Sequence, residues 1–500
     1  MTTTDITAAR AAQPEIDPQG MRVIWLLLVA AFVAILNETT MGIAIPHLNA
    51  DLGLPPELGQ WLTSAFMLTM AVVIPTTGFL LVRFTTRQVF LAAISAFTLG
   101  TLVSLLATGF PMLLGGRVIQ AVGTGVMMPL LMTTMMNVVP AHMRGRMMGR
   151  VGMVISLAPA IGPSLSGLVL DTLGWRWLFG IVLPIAIIAL LLGAKWMTNL
   201  GETTKAPIDV LSIVLSAGGF GGIVYGLSLF GSHSAEGSAT GVIPGTTAQT
   251  SGGILLALGI VILAGFAWRQ LTLQRKDAAL LDLRVFLSRN FTISVVIMAV
   301  IAMAMFGTLT LLPQYLQNVA GLDALLSGLI LMPGSILMGL LGPVMGRIYD
   351  AHGPRTLLVP GTIMIAGSLF YYATVSETTP WPVLMIVQSV MSVGLAMSFT
   401  PLFSASLGSL VPRLYSHGSA ALNTLQQVGG AAGVAVLIGL YSSILHTGEQ
   451  DGLVTAAAGA PGARAAFLVA AFIALLPVVL AWLVRKPEET EDIPAGGHGH

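Results

Sequence analysis

The sequence predicts an all-helical, polytopic membrane protein with fourteen transmembrane helices. Three observations carry the prediction. The chain is 55% apolar and only 9% charged, with a mean hydropathy of +0.88, against about 25% charged residues in an ordinary soluble domain. Its apolar stretches are long enough to cross ~30 Å of hydrocarbon as helices, and too long and uniform for the ~9–11-residue alternating strands of a barrel. Between them lie mostly short loops of Gly, Pro, Asn, Asp and basic residues, which stop helices and stay in water.

The N-terminal tail, 1–21, is polar. The first span, 23–46, is too long for a signal-peptide core and reads as an uncleaved helix. Of the 21 acidic residues, only Glu38 in this span falls well inside an apolar stretch. Met21–Pro46 as helix measures about 39 Å at ~1.5 Å per residue. A carboxylate at that depth costs roughly 2.5–3.5 kcal/mol on insertion scales, so it faces a cavity or the bundle interior. Protonation is the simplest way to neutralise it. Glu38 is therefore the first candidate for a proton-coupling site.

Spans 60–82, 88–108, 111–138, 151–170 and 178–197 follow. The fourth holds Arg117, the only basic residue deep in a span. The fifth carries Gly152, Pro159, Gly162, Pro163 and Gly167, small and bend-prone residues suited either to close packing or to a gate hinge. Spans 210–231 and 253–271 are joined by 232–252, a Gly/Ser/Thr-rich stretch expected to be a mobile external loop. The last six spans are 290–312, 325–346, 356–374, 382–409, 419–445 and 465–484; the tail, 486–500, is charged, then glycine-rich. Its two histidines, His498 and His500, do not make a metal site, and no cofactor is expected.

With both termini cytoplasmic, every one of the 22 basic residues except Arg117, Arg176 and Arg464 lies on the cytoplasmic side, as the positive-inside rule requires. The chain also repeats itself. Gly53-Leu54 corresponds to Gly321-Leu322, Gly78 to Gly346 and Arg87 to Arg355, always 268 residues apart. Six spans fill too few residues for that offset, so two spans are inserted. The predicted organisation is a six-helix bundle at 22–198, two inserted helices at 199–272, a second six-helix bundle at 273–485 and a tail from 486.

Absent features narrow the function. There is no cysteine, hence no disulfide or thiolate chemistry. No phosphate-binding loop of the G-x-x-x-x-G-K-[S/T] kind or catalytic cluster is present, so neither an enzyme nor an ATP-driven pump is expected. The net charge of +1 gives no reason to expect nucleic acid binding.

The loop from Gly78 through Arg83 to Arg87 and its partner Gly346, Asp350, Gly353 and Arg355 resemble the signature of the major facilitator superfamily; the first copy has lost its acid (Val82) and second glycine (Thr85). Arg117, Gln120, Gly123 and Gly125 resemble the R-x-x-Q-x-x-G-x-G pattern of drug:proton antiporters. The fifth-span run is similar to the antiporter motif of exporters, with Ser166 replacing a glycine. LDTLGWRWLF at 170–179 and LPQYLQNVAGL at 312–322 are similar to fourteen-span antiporters of the EmrB/QacA type. Asn37 stands at the usual acid position of span 1, with the carboxylate one residue on at Glu38, as in the LmrB-like branch.

The resemblance implies a major facilitator fold (6 + 2 + 6) and a proton-coupled antiporter that exports amphipathic drugs by alternating access from the cell inner membrane, as a monomer. Its partners are protons, the exported molecule and lipid. Glu38 and Arg117 are the expected coupling pair; a static pair that merely joins two helices is the alternative. Candidate substrate contacts are Asn37, Gln60, Trp61, Met67, Gln120, Gln314, Tyr315, Asn423 and Gln427. The 26 methionines suit a pliable pocket, although Met in membrane helices is more often ordinary packing. A dedicated exporter of one endogenous compound and a non-transporting sensor or scaffold are the competing readings.

Overall fold

The computed structural model describes residues 17–53, 56–199, 209–231, 247–276 and 278–487. Among them are fourteen α-helices and no β-strand. They are α1 (Pro18–Leu52), α2 (Pro56–Arg83), α3 (Thr86–Leu105), α4 (Phe110–Val138), α5 (Arg144–Thr172), α6 (Arg176–Trp196), α7 (Val210–Gly231), α8 (Ala248–Leu273), α9 (Arg289–Asn318), α10 (Ala324–His352), α11 (Arg355–Tyr372), α12 (Trp381–Gly408), α13 (Tyr415–Gln450) and α14 (Thr455–Ala481). Twelve of the described helices are long and apolar enough to cross a membrane. Helix is the form this composition must take in lipid, because every backbone N–H and C=O is then satisfied within its own segment.

Several helices outrun the apolar pattern. α1 continues six residues past 46 to a left-handed Gly53 (φ 61°), which caps Asn49 O. α9 runs through Pro313 to Asn318, so Gln314 and Tyr315 lie inside a helix rather than beyond one. Residues 248–252, read from sequence as loop, form the first turn of α8 behind the N-cap Thr247. The rest of that loop, 232–246, the first sixteen residues and the tail from 488 lie outside the described residues.

α1–α6 pack among themselves, and so do α9–α14. The two groups meet mainly through α5 against α10 and α2 against α13, with lesser contacts of α4 with α13 and α5 with α12. The 268-residue repeat is visible in the backbone: Gly53 and Gly321 are both left-handed (φ 61° and 66°). Arg87 Nη2 donates to Ala194 O (2.7 Å) at the end of α6, and its counterpart Arg355 Nε donates to Val484 O (3.1 Å) just beyond α14. Where the second copy has Gly353 at φ 80°, the first has Thr85 in extended conformation, its hydroxyl accepting from Gln88 N as a helix cap. The lost glycine has thus become a capping box.

α7 packs on α8 and also on α2 and α13, straddling the seam between the two groups, whereas α8 packs mainly on α7 and exposes Ile254, Leu258, Val261 and Trp268. The crossing leaves no room for a side chain at two of its glycines: a Cβ on Gly226 would lie 2.7 Å from Leu256 N and one on Gly259 2.7 Å from Ile223 N. The hairpin is clamped at its base by Asp209, which accepts from Arg269 Nε (2.7 Å) and Nη2 (2.8 Å) and from the Ser212 hydroxyl. Gln270 Nε2 donates to Ser212 Oγ (2.8 Å), while its Oε1 accepts from Leu280 N (2.8 Å), tying the hairpin to the segment that leads into α9.

The Arg269 hydrogen bonds hold the Asp209 carboxyl below its ordinary value. Its contribution to stability is therefore full above the ordinary carboxylate range and fades as pH falls through the depressed value. Asp209→Asn is expected to destabilise the hairpin by about 1.5–3 kcal/mol. Thermal unfolding of the purified protein at neutral pH checks this, and the gap between variant and wild type should narrow in acid.

Candidate functional site

The start of α1, the residues that follow α14 and most of the described arginines share one end of the helix bundle, the basic end. Glu38 lies near the opposite third of α1. Its neighbours Asn37 and Thr40 are buried, 1% and 5% exposed, while Glu38 itself is half-buried. Two contacts fix this part of α1 against α5. Ser166 Oγ donates to Thr40 O (3.0 Å), and a Cβ on Gly162 would meet Thr39 Oγ1 at 2.4 Å. The serine that replaces a family glycine is thus a cross-helix donor two residues from the carboxylate. The side chain of Pro163 lies outside the described residues, and Gly167 has no described neighbour within 4 Å of a built Cβ.

Arg117 on α4 is fully buried. Its Nη1 donates to Gln120 Oε1 (2.6 Å), one turn on and hence on the same face. Gln120 Nε2 donates in turn to Thr101 Oγ1 on α3 (2.8 Å). The guanidinium carbon sits 4.0 Å from the ring centroid of Phe66 on α2, and Nε has no partner. The glycines of the same motif let neighbours in: a Cβ on Gly123 would meet Ala93 O of α3 at 2.4 Å, and one on Gly125 Val73 of α2 at 3.2 Å. Among the described residues no ion pair within 4.0 Å joins Glu38 to Arg117, although each is the charge that acts on the other. In this conformation they are two separated groups, not a welded pair.

At the basic end, Asp350 near the end of α10 caps α5. Its Oδ1 accepts from Gly145 N (2.9 Å) and its Oδ2 from Arg146 N (2.8 Å), where a helix N-terminus favours negative charge. Beneath it the two helices touch backbone to backbone, Gly145 against Gly346 and Gly149 against Gly342. The repeat-related crossing puts Gly78 of α2 against His417 and Ala420 of α13. Arg83 stacks loosely on Phe84 (5.9 Å), its Nε without a partner. Gly353 and Arg355 shape the turn after α10, where Lys486 Nζ donates to Asp350 O (2.9 Å). Toward the opposite end of α10, Gly328 has no described neighbour within 4 Å. The halves are shut at the basic end. There, Asp350→Asn keeps the shape and loses the charge, weakening closure by about 1.5–3 kcal/mol. Faster cysteine labelling at the basic end would register it.

The structure divides the expected substrate contacts. Met67 is 43% exposed, and Gln314 and Gln427 are half-buried. Asn37 is buried with Nδ2 unpartnered. Four others are engaged elsewhere. Trp61 faces Tyr225 of α7 (ring centroids 5.6 Å apart), because its turn of α2 points at the inserted hairpin. Tyr315 is fully buried and donates to Ser376 O (2.7 Å), anchoring α9 to the turn after α11. Gln120 is held between Arg117 and Thr101, and Asn423, 5% exposed, donates to Ser419 O (2.9 Å). The side chain of Gln60 lies outside the described residues.

The profile of the Major Facilitator Superfamily matches residues 27–434. The chain belongs to this superfamily. As a major facilitator protein it is a multi-pass membrane transporter, and relatives match it almost end to end. The uncharacterized MFS-type transporter YcnB of Bacillus subtilis is 39% identical over 475 residues, covering 95% of this chain and 97% of its own. The lincomycin resistance protein LmrB of Listeria monocytogenes is 39% identical over 473 residues, 93% and 96% of the two chains. In fold, it is similar to the human organic anion transporter MFSD10, with a TM-score of 0.63 over 93% of this chain and 100% of that one at 16% identity.

The LDTLGWRWLF stretch also gains a structural role in this major facilitator chain. Gly174 turns at φ 82°, Trp175 Nε1 donates to Asp51 Oδ2 (2.7 Å), and Arg176 Nη2 donates to Ala107 O (3.1 Å). One turn thereby pins α1, the α3–α4 loop and α6 at the end opposite the basic one. Spacing alone did not reveal Thr101, Phe66 or His417. Each is a common residue in an apolar context and acquires meaning only through what it touches.

Proposed function

We propose that this chain is a proton-coupled exporter of amphipathic drugs or toxic small molecules, working as a monomer in the bacterial cell (inner) membrane with both termini in the cytoplasm. The observation that carries the reading is Glu38, deep in α1 and without an ion pair to the fully buried Arg117, whose guanidinium is held by Gln120 instead. A carboxyl without a fixed ionic partner can load and release a proton; one locked to an arginine cannot. The relationship to a lincomycin resistance protein supports drug export. The basic end is then cytoplasmic, the two six-helix groups rock about the α5–α10 and α2–α13 crossings, and Asp350 latches the outward-facing state. Met67, Gln314 and Gln427 line the route.

A single carboxyl also limits the energetics. Exchange of one proton for a monovalent cation moves no net charge, whereas exchange for a neutral drug also draws on the membrane potential, worth ~2.3 kcal/mol per charge per 100 mV.

The test is proton release from everted vesicles carrying the protein, followed with a pH-sensitive dye over a panel of unrelated compounds that includes lincomycin. Responses to several chemicals are expected. A response to one alone would mark a dedicated exporter, and silence from vesicles with verified protein would overturn the reading.

A further inference from the structure

We infer that Phe66 is a positioning residue for the coupling pair: its ring parks the Arg117 guanidinium away from Glu38, and movement of α2 releases it. This rests on the proton-coupling reading above. A fully buried guanidinium needs partners, and this one has Gln120 on one side and the face of Phe66 on the other, 4.0 Å from the ring centroid, with Nε left open. A desolvated cation over a ring face is held by the ring quadrupole. The ring is itself fixed, being fully buried in a cluster with Met70, Ile74 and Ala121, the last lying one turn beyond Arg117 on α4.

The parking partner sits on a helix that moves with the gate. α2 carries Phe66 and, about 18 Å further along at ~1.5 Å per residue, Gly78, which bears on His417 and Ala420 of α13. When α2 and α13 part, α2 tilts and the ring shifts with it. The guanidinium then loses its apolar partner, and the carboxylate of Glu38 is the charge able to take its place: of the charged groups on the helices packed around α4 (α1, α2, α3, α5 and α13), Glu38 is the one that acts on Arg117 among the described residues. Gate position and proton affinity are thereby joined through one aromatic ring.

The test uses the purified full-length chain in lipid nanodiscs with protons as the only ligand. Infrared titration follows the protonated carboxyl band assigned by its loss in Glu38→Gln. Phe66→Leu is expected to shift the band's midpoint toward acid by about one unit or more, a tenfold change in proton concentration, because the freed guanidinium settles beside the carboxylate. Phe66→Tyr, which keeps the ring face, restores the wild-type midpoint. In an Arg117→Gln background, Phe66→Leu shifts nothing further. Phe66→Met supplies the same comparison if the leucine variant does not fold. An unchanged midpoint in a folded Phe66→Leu or Phe66→Met protein would overturn the inference, as would a shift that persists without Arg117. If Glu38→Gln removes no titrating band, the coupling assignment of Glu38 fails instead, independently of Phe66.

Discussion

Glu38→Gln is expected to abolish uphill export while leaving the protein folded and in the membrane. Glutamine keeps the volume and hydrogen-bonding reach of the side chain but cannot give up a proton. Export of a neutral compound driven by ~100 mV gains about 2.3 kcal/mol per proton, which sustains roughly a fifty-fold concentration ratio at ~1.4 kcal/mol per tenfold. With Gln at position 38 that ratio should collapse to about one, because exchange is no longer tied to the proton. Glu38→Asp should retain coupling at reduced rate, since the carboxyl persists but withdraws by one methylene. Uphill accumulation by the Gln variant, measured in energised everted vesicles, would remove Glu38 from the mechanism.

The second large effect is expected at the α5–α10 crossing. A Cβ on Gly149 would lie 2.2 Å from Gly342 O and 2.8 Å from its carbonyl carbon. Both are main-chain atoms, so no rotamer change can make room, and Gly149→Val must force the helices apart. Overpacking of this kind costs about 1–3 kcal/mol or more, and separation also withdraws Gly145 and Arg146 from Asp350. The closed basic end should become a minor state and transport should fall about a hundred-fold or more, as an opposition of about 3 kcal/mol implies. The sequence contains no cysteine, so a lone cysteine placed at Met345, 8% exposed, is a clean reporter. It should react faster with a water-soluble maleimide in the valine variant. Gly167→Ala is the control: nothing described lies within 4 Å of its Cβ, and it should behave as wild type.

Much of this was legible in the residues. Uniform apolar runs announced helices, and the matched glycines 268 residues apart announced the repeat, which reappears as paired left-handed turns at Gly53 and Gly321. The depth of Glu38 and Arg117 could be read because a charge inside an apolar run is rare. Direction was far harder to read. Polarity near a span end made Trp61 and Tyr315 look alike, yet one turns toward α7 and the other into the core of α9 and its neighbours. The orientation of a side chain about its helix depends on which helix stands beside it, and that is a tertiary fact. The partner of Asp350 was hidden for a related reason: it is the backbone of a helix N-terminus 205 residues away, which has no side-chain signature.

α7 leans on both α2 and α13, one helix from each side of the seam. If that seam opens in each cycle, a gap forms in the wall of the protein within the bilayer itself. Acyl chains would flow into such a gap and fill the binding space with the commonest amphiphile present. A helix lying across it acts as a sliding gasket. α7 is fitted to slide where Gly221 lies against Leu68 and Val72 with no side chain to interlock. α8, held mainly to α7, serves as its backing. The added pair then governs what is kept out of the transport path, and its removal should show first as lipid competition for the site.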